Sequence, residues 1–493
     1  MSIPILITFA AYYIILLAIG FYFFGKSNQI EDYLLGGRRM GAWVTAISAQ
    51  ASDMSGWLLM GLPGAIYLGG VAGAWIAIGL FIGTALNWKF IASRLRTYTQ
   101  QTNTITLPSF FEKRFADPTG LLRTVSAIII LIFFTTYSSS ALVATGKLFE
   151  SVFNMNYQIA VIIGGSIIIA YTFLGGFPAV CWTDLFQGTL MVIAIIAVPA
   201  VAFFHVGGIS SIANAMSAKQ ISTSWIPPGN LPLIAILSAS AWGLGYFGQP
   251  HILARFMSAK SLAKLKESML IAMIWVFLSL GGAVIIGLIG IAMFDNLSGG
   301  EEEKVFIYMI KELLGPWLGG VMLAAILSAI MSTIDSQLLV SSSALTEDFY
   351  RKVIKRNVSE KEVITVGRIC VMIISAIAMY MALSPNDTIL GIVAYSWGGF
   401  GAAFGPVILF ALFSKRTTWM SALAGMVAGT IALVLWKKLG PSDQMYEIVP
   451  GFAANCLTII VINIFVTQEN EQVINDFEHV TDTARLRVVK QAV

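Results

Sequence analysis

The sequence predicts an all-helical polytopic membrane protein with thirteen spans, and three observations predict it. Of its 493 residues, 57% are hydrophobic and only 11% are charged, whereas soluble proteins carry about 25% charged residues. Mean hydropathy is +0.80. Apolar stretches of about 20 residues, enough to cross a bilayer as a helix, recur along the chain. The formal net charge of +4 excludes nucleic acid as a natural partner. Cys181, Cys370 and Cys456 lie scattered in apolar context without the spacing of a metal site or a disulfide framework.

In order, the spans fall near 3–24, 41–69, 72–94, 121–149, 157–175, 178–206, 230–255, 267–294, 316–346, 362–383, 388–413, 418–437 and 446–467. The first reads as a retained membrane helix, since it lacks the basic flank and small-residue cleavage site of a signal peptide. A transmembrane domain is therefore expected over 1–466, with a tail over 467–493. In the tail, Val473, Ile474, Phe477 and Val480 recur at helical spacing, which reads as a cytoplasmic helix or a disordered end. Residues 105–115 read as a short interfacial helix and residues 301–315 as an amphipathic one.

Lys and Arg orient the spans. One set of connections holds Lys26, Arg38 and Arg39; Arg94, Arg96, Lys113, Arg114 and Arg123; Arg255, Lys260, Lys264 and Lys266; Arg351, Lys352, Lys355, Arg356 and Lys361; and Lys415 and Arg416, with Arg485, Arg487 and Lys490 in the tail. The opposite set holds only Lys147, Lys219, Lys304, Lys311, Lys437 and Lys438. The bias places the N-terminus outside and the C-terminus in the cytoplasm. Lys437-Lys438 is the exception.

Two spans are broken by composition. The second carries "SAQASDMSGWLLMGLPG" (48–64) and the seventh "SAWGLGYFGQPHILARF" (240–256). Freed backbone groups facing lipid cost several kcal/mol each, so such breaks survive only inside protein or against a wet cavity. The broken spans are five apart. Spans two to six and seven to eleven thus read as two five-helix units, roughly 41–206 and 230–413, and an odd-numbered unit inverts when repeated. Paired interruptions in inverted repeats point to a transporter's midplane site.

Charges within spans are few. Asp53, Asp184 and Asp335 lie deep, while Arg255, Asp348 and Arg368 lie near cytoplasmic ends. At mid-bilayer Asp53 costs roughly 3 kcal/mol or more, which marks it as functional by default. In the ninth span, Ala329, Ser332 and Thr333 stand at i, i+3 and i+4 and share a face. The Ala329 carbonyl and both hydroxyls can converge with the carbonyls of Ala51 and Met54, released if the second span unwinds at Asp53. Five uncharged oxygens suit a hard monovalent cation, although such hydroxyls also serve as helix-packing glue. Trp57, Tyr137, Trp242 and Tyr246 flank the breaks, an aromatic box suited to a small zwitterion with an apolar body. His251 reads as a packing histidine rather than a proton relay. The pattern argues against a channel, which wants continuous polar rings, and against an enzyme, since three distant histidines offer no catalytic pair.

The stretches "LGGRRMGAWVTAISAQASDMSGWLLMGLPGA", "WGLGYFGQPHILARFM" and "AILSAIMSTIDSQLLVSSSALTEDFY" closely resemble the sodium:solute symporter family, and the likeness spans nearly the whole chain. The resemblance implies a leucine-transporter-like five-plus-five inverted-repeat core in a bacterial cell membrane. It implies sodium-coupled import of L-proline by alternating access, with sodium as the coupling ion and no obligate protein partner. The alternative is sodium- or proton-coupled symport of another small solute, such as pantothenate, a sugar or a monocarboxylate. By the same resemblance, sodium would be held by Ala51, Met54, Ala329, Ser332 and Thr333. Ser55, Gly56, Trp57, Tyr137, Trp242, Tyr246 and Pro250 would serve solute binding or its gating, and Asp53 and Arg38 coupling. Asp335 and Ser336 depart from the pattern of proline carriers. With Asp184 and Ser332 they suggest a second cation site.

Overall fold

The computed structural model describes residues 2–23, 30–172, 176–354 and 359–489. Lys26, Lys355, Arg356 and Lys490, counted in the charge bias above, lie outside them. Among the described residues every regular element is helical. Among these residues ten helices are long and apolar enough to cross a membrane, from Ile3–Phe23 to Ile448–Phe465, with shorter apolar helices at Tyr157–Ala170 and Pro232–Gly248. Large apolar side chains such as Phe204, Tyr380 and Phe465 are about four-fifths exposed (82%, 78% and 81%), as a lipid-facing perimeter requires.

Both composition breaks are backbone breaks. The second span runs as a helix over Ala42–Ala51, loses helical form at 52–55, and resumes through wide π-type turns (Trp57–Gly61) into Leu62–Gly69. The seventh is helical over Pro232–Ser240, tightens to 3-10 turns over Ala241–Gly248, is extended at Gln249 (φ −78°, ψ 108°) and restarts at Pro250–Ser258. Proline at the restart suits a first helical turn, where its missing N–H is not needed. Side chains satisfy the carbonyls freed in the seventh span. Trp397 Nε1 donates to Trp242 O at 2.7 Å, Asn87 Nδ2 to Tyr246 O at 3.0 Å, and Gln249 Nε2 to Gly245 O at 3.2 Å.

The third span, Ala74–Leu86 continuing to Gln101, presses on the seventh at its glycines. A Cβ on Gly79 would stand 2.2 Å from Ser240 O, and one on Gly83 2.3 Å from Gly243 O. Only glycine permits backbones this close.

The ends of the bundle are tied. On the side of the Arg38 loop, Arg38 donates to Glu31 and to the carbonyls of Met257 (3.1 Å), Thr99 (3.1 Å) and Thr104 (2.7 Å). Beside it, Met40 and Ala259 form an isolated bridge, and Arg96 Nε donates to Ala259 O. At the opposite end lies the expected amphipathic segment, a 3-10 turn at Glu302–Lys304 leading into the helix Val305–Leu313. It is buried rather than lying on the surface. Glu303 accepts from Lys147 Nζ (2.6 Å) and from the amides of Ile389 (3.1 Å) and Leu390 (3.2 Å), capping the helix Ile389–Phe413. Burial alone would raise the Glu301 carboxyl, but bonds from Lys304 and Tyr308 hold it below its ordinary range.

The segment 105–115 contains the helix Leu107–Arg114, closed by a capping box between Thr106 and Ser109. The tail forms the helix Glu471–Val489, whose buried Val473, Phe477 and Val480 pack on the body while Asp476 accepts from Gln101. The exceptional Lys437 has a local reason: Asp387 and Glu447 carboxylates each lie 4.0 Å from its ammonium.

Candidate functional site

The expected oxygens meet where the second and ninth spans touch. In a continuous helix Ser55 N would bond Ala51 O and Leu58 N would bond Met54 O. Instead Ser55 N bonds Asp53 O and Leu58 N bonds Ser55 O, each at 3.0 Å. Both carbonyls thereby lose their usual partners. Ser332 Oγ lies 2.7 Å and Thr333 Oγ1 3.3 Å from Ala51 O, and both hydroxyls lie 3.2 Å from Ala329 O. Four of the five expected ligands therefore converge on one another, and the fifth, Met54, is a turn from Ala51 and fully buried. The cluster has the donor chemistry of an alkali-ion site: neutral oxygens, no water-exposed face. Among the described residues no group of three or more His, Cys, Asp and Glu side chains stands at metal-binding spacing.

Asp53 lies at the break itself, with no exposed surface. Its Oδ2 accepts from Tyr246 Oη at 2.6 Å, which links the two broken spans. Its carbonyl accepts from Trp57 Nε1 (3.0 Å) and Tyr137 Oη (3.2 Å). Its Oδ1 is buried without a hydrogen-bond partner among the described residues. A buried carboxylate oxygen left unbonded is costly, and its presence here fits a group that takes part in binding rather than in packing.

Aromatic rings enclose this point. Trp57 and Trp242 stand with centroids 6.4 Å apart, Trp242 and Tyr446 5.3 Å, and Tyr246 and Trp397 4.9 Å. Gly56 lets the second span meet the fourth, since a Cβ there would lie 2.7 Å from that of Ala144. Ser55 Oγ accepts weakly from Trp57 N at 3.4 Å. Tyr137, Tyr246, Trp57, Trp242, Ser55 and Gly56 are thus gathered around Asp53. Pro250 is not among them: it opens the lower half-helix and lines a small cavity with Ile130, Ala254 and Asp348. Arg38 belongs to the end clasp, and His251 packs edge-on against Phe134 with centroids 5.5 Å apart.

The expected second cation set is arranged differently. Asp184 Oδ2 accepts from Ser48 Oγ (2.6 Å) and from Arg255 Nη2 (3.2 Å), and the same guanidinium nitrogen donates to Ser336 Oγ (2.5 Å). An arginine therefore sits between two of the residues expected to hold an ion. Asp335, beside Ser336, is fully buried.

Sequence reasoning did not find Trp397, Tyr446, Asn87, Gln249 or the partners of Arg255. Gln50 also escaped it: the side chain is fully buried and neither amide atom has a hydrogen-bond partner among the described residues. A glutamine one turn before Asp53 in an apolar span was the available signal. A cavity of about 770 Å³ lies elsewhere, between Tyr380, Asp387 and Lys437. The residues around Asp53 are closed off, with Trp242 at 6% the most exposed of the gathered set.

Comparison with known proteins adds to this geometry. The model of the sodium:solute symporter family matches residues 33–429. The chain is 47% identical over 470 residues to the sodium/proline symporter of Salmonella typhimurium, covering 94% of this chain and 93% of that one. It is 46% identical over 471 residues to the high-affinity proline transporter PutP of Bacillus subtilis, covering 95% and 99%. Among solved structures, a Na+-coupled sialic acid symporter in a substrate-bound outward-open state superposes with a TM-score of 0.80 at 18% identity, covering 95% and 99%. MhsT in complex with L-phenylalanine gives 0.57 at 14% identity, covering 86% and 98%.

Proposed function

The chain belongs to the sodium:solute symporter family, and from that membership we propose that it imports L-proline together with sodium by alternating access. The observation that carries the reading is the convergence of Ala51 O, Ala329 O, Ser332 Oγ and Thr333 Oγ1 directly beside the buried Asp53. Ala51, Met54, Ala329, Ser332 and Thr333 bind sodium. Ser55, Gly56, Trp57, Tyr137, Trp242 and Tyr246 form the solute pocket, with the rings receiving the apolar body of proline and the backbone break its charged groups. The relatives named as proline transporters support this substrate.

Mechanistically, sodium pins the second span to the ninth and fixes the unwound segment that carries Asp53. Tyr246 passes that order to the seventh span through its bond to Asp53. The completed pocket then accepts proline. Sodium must bind the outward-facing state better than the inward-facing one, because equal binding shifts nothing. One sodium crossing about 100 mV contributes about 2.3 kcal/mol. A tenfold sodium gradient adds about 1.4 kcal/mol, so the total supports about 500-fold accumulation of a neutral zwitterion. Pro250 bends the seventh span below the pocket, and Arg38 holds the inner end shut between cycles.

The same reading takes thirteen spans, with the N-terminus outside, the tail over 467–493 in the cytoplasm, and inverted repeats roughly at 41–206 and 230–413. The spacing of the two breaks and the Lys and Arg bias support it. The deciding experiment is uptake of radiolabelled proline into proteoliposomes with and without an inward sodium gradient. Sodium-driven accumulation is expected. Sodium-independent uptake, or uptake of another solute but not proline, would reassign the function.

A further inference from the structure

Two arginines from elsewhere in the fold hold the C-terminal end of the eleventh span, Ile389–Phe413. Arg94 of the third span donates to Leu412 O at 2.9 Å and faces the Phe413 ring at 4.3 Å. Arg114, which ends the helix Leu107–Arg114, donates to Ala411 O at 2.7 Å and to Ser414 O at 2.8 Å. Only 1% of Arg114 is exposed. A buried guanidinium is tolerated only where its charge is answered. Here it is answered by carbonyls at the negative end of a helix and by the rings of Tyr98 (5.4 Å), Phe115 (5.2 Å) and Phe477 (5.2 Å). Phe477 comes from the tail helix Glu471–Val489. The tail therefore completes the enclosure of a cation that caps the eleventh span.

The tail also touches both halves of the bundle. Toward the first half, Asp476 accepts from Gln101 Nε2 at 2.7 Å, and Phe477 covers Arg114. Toward the second, Lys415 Nζ donates to Glu478 Oε1 at 2.8 Å, and Arg416 O accepts from Gln468 N at 3.1 Å. Gln101 ends the third span, whereas Lys415 and Arg416 follow directly on the eleventh. We propose that the tail helix is a strap: it ties the third span to the eleventh while the inner end is closed, and it must let go for the solute to leave. The inference rests on the alternating-access reading above, in which one helical unit rocks against the other. Contacts made to both units cannot all survive that movement. The strap is also weak enough to release. Its ion pair is half exposed, at 54% and 51%, so solvent leaves it little strength, and its buried row is short, Val473, Phe477 and Val480. The eleventh span carries the effect inward, because its Trp397 Nε1 holds the carbonyl of Trp242 in the broken seventh span.

The test fastens the strap reversibly. In the full chain, with Cys181, Cys370 and Cys456 replaced by serine, the pair Gln101→Cys/Asp476→Cys is joined by a short cleavable bis-methanethiosulfonate linker. The joined protein is expected to bind proline with the sodium dependence of the unjoined pair, while its sodium-driven uptake into proteoliposomes falls by about tenfold or more. Cutting the linker with a reductant is expected to restore uptake. A second variant loosens the strap instead. Phe477→Ala is placed in the same cysteine-free chain with Ala254→Cys as a reporter in the small cavity beside Pro250. The reporter is expected to react severalfold faster with a water-soluble maleimide, as a shift toward the inner-open form requires. Uptake by the joined protein at the unjoined rate, loss of proline binding together with uptake, or unaltered reporter reactivity in Phe477→Ala would each overturn the proposal. Failure of the unaltered protein to show any sodium-driven proline uptake would instead reject the function.

Discussion

The phenol of Tyr246 donates to Asp53 Oδ2 at 2.6 Å, so the two interrupted spans are joined by one hydrogen bond across the middle of the molecule. A hydrogen bond to a charged group is worth about 1.5–3 kcal/mol, which is about ten- to hundredfold in an equilibrium constant. Tyr246→Phe should therefore weaken sodium-dependent proline binding by at least about tenfold. Scintillation binding on purified protein measures it. Unchanged affinity would mean that the bond does not organise the pocket.

The hydroxyl face of the ninth span makes a separate prediction. Ser332→Ala and Thr333→Ala each delete an oxygen that lies against Ala51 O. Each should raise the sodium concentration for half-maximal proline uptake by about tenfold, roughly 1.4 kcal/mol. The two substitutions share a partner, so their effects should not add. A shift in proline affinity at saturating sodium, without a shift in sodium dependence, would contradict the assignment.

Backbone contact between the third and seventh spans should show in stability. A Cβ at position 83 would stand 2.3 Å from Gly243 O, and backbone cannot move aside as a side-chain tip can. Overpacking costs about 1–3 kcal/mol. Gly83→Ala should lower the melting temperature in detergent by several degrees and reduce uptake with it. An unchanged melting curve would show that the spans are less tightly apposed.

The end of the bundle opposite the Arg38 loop hangs on Glu303, which holds Lys147 and two amides of the helix Ile389–Phe413. Glu303→Gln keeps the size but loses the charge. Amides in Val305–Leu313 should then exchange with deuterium about tenfold faster, the effect of losing about 1.4 kcal/mol from a local opening equilibrium. Unaltered exchange would place the latch elsewhere.

At the other end, Arg38 binds the carbonyls of Met257, Thr99 and Thr104 together. Arg38→Ala strips all three at once and should loosen the bridge between Met40 and Ala259. The expected consequence is a sodium leak: sodium influx in the absence of proline should rise. Tight coupling in the variant would exclude a gating role.

Much of the site could be read from residues in one dimension. Gly and Pro beside Asp53 and around Tyr246 announced the breaks, because lipid tolerates no freed backbone group unless protein receives it. Unwinding at Asp53 in turn implied released carbonyls at Ala51 and Met54, and i+3, i+4 spacing placed Ser332 and Thr333 on one face. Other relations had no such signature. The segment around Glu303 has the composition of a surface helix, yet it is buried, because its carboxylate caps a helix some 86 residues further on. Asp184 and Ser336 had the look of ion ligands, and only the meeting of the second, sixth, seventh and ninth spans put the Arg255 side chain between them.

Local composition dictates where the chain is apolar enough to cross and where it cannot stay helical. Both follow from the local balance between backbone hydrogen bonding and hydrocarbon. Helix packing settled which released carbonyl faces which hydroxyl, and which buried acid meets a tyrosine or an arginine. Those outcomes depend on how helices rotate and slide against one another, which is governed by packing among residues far apart in the chain.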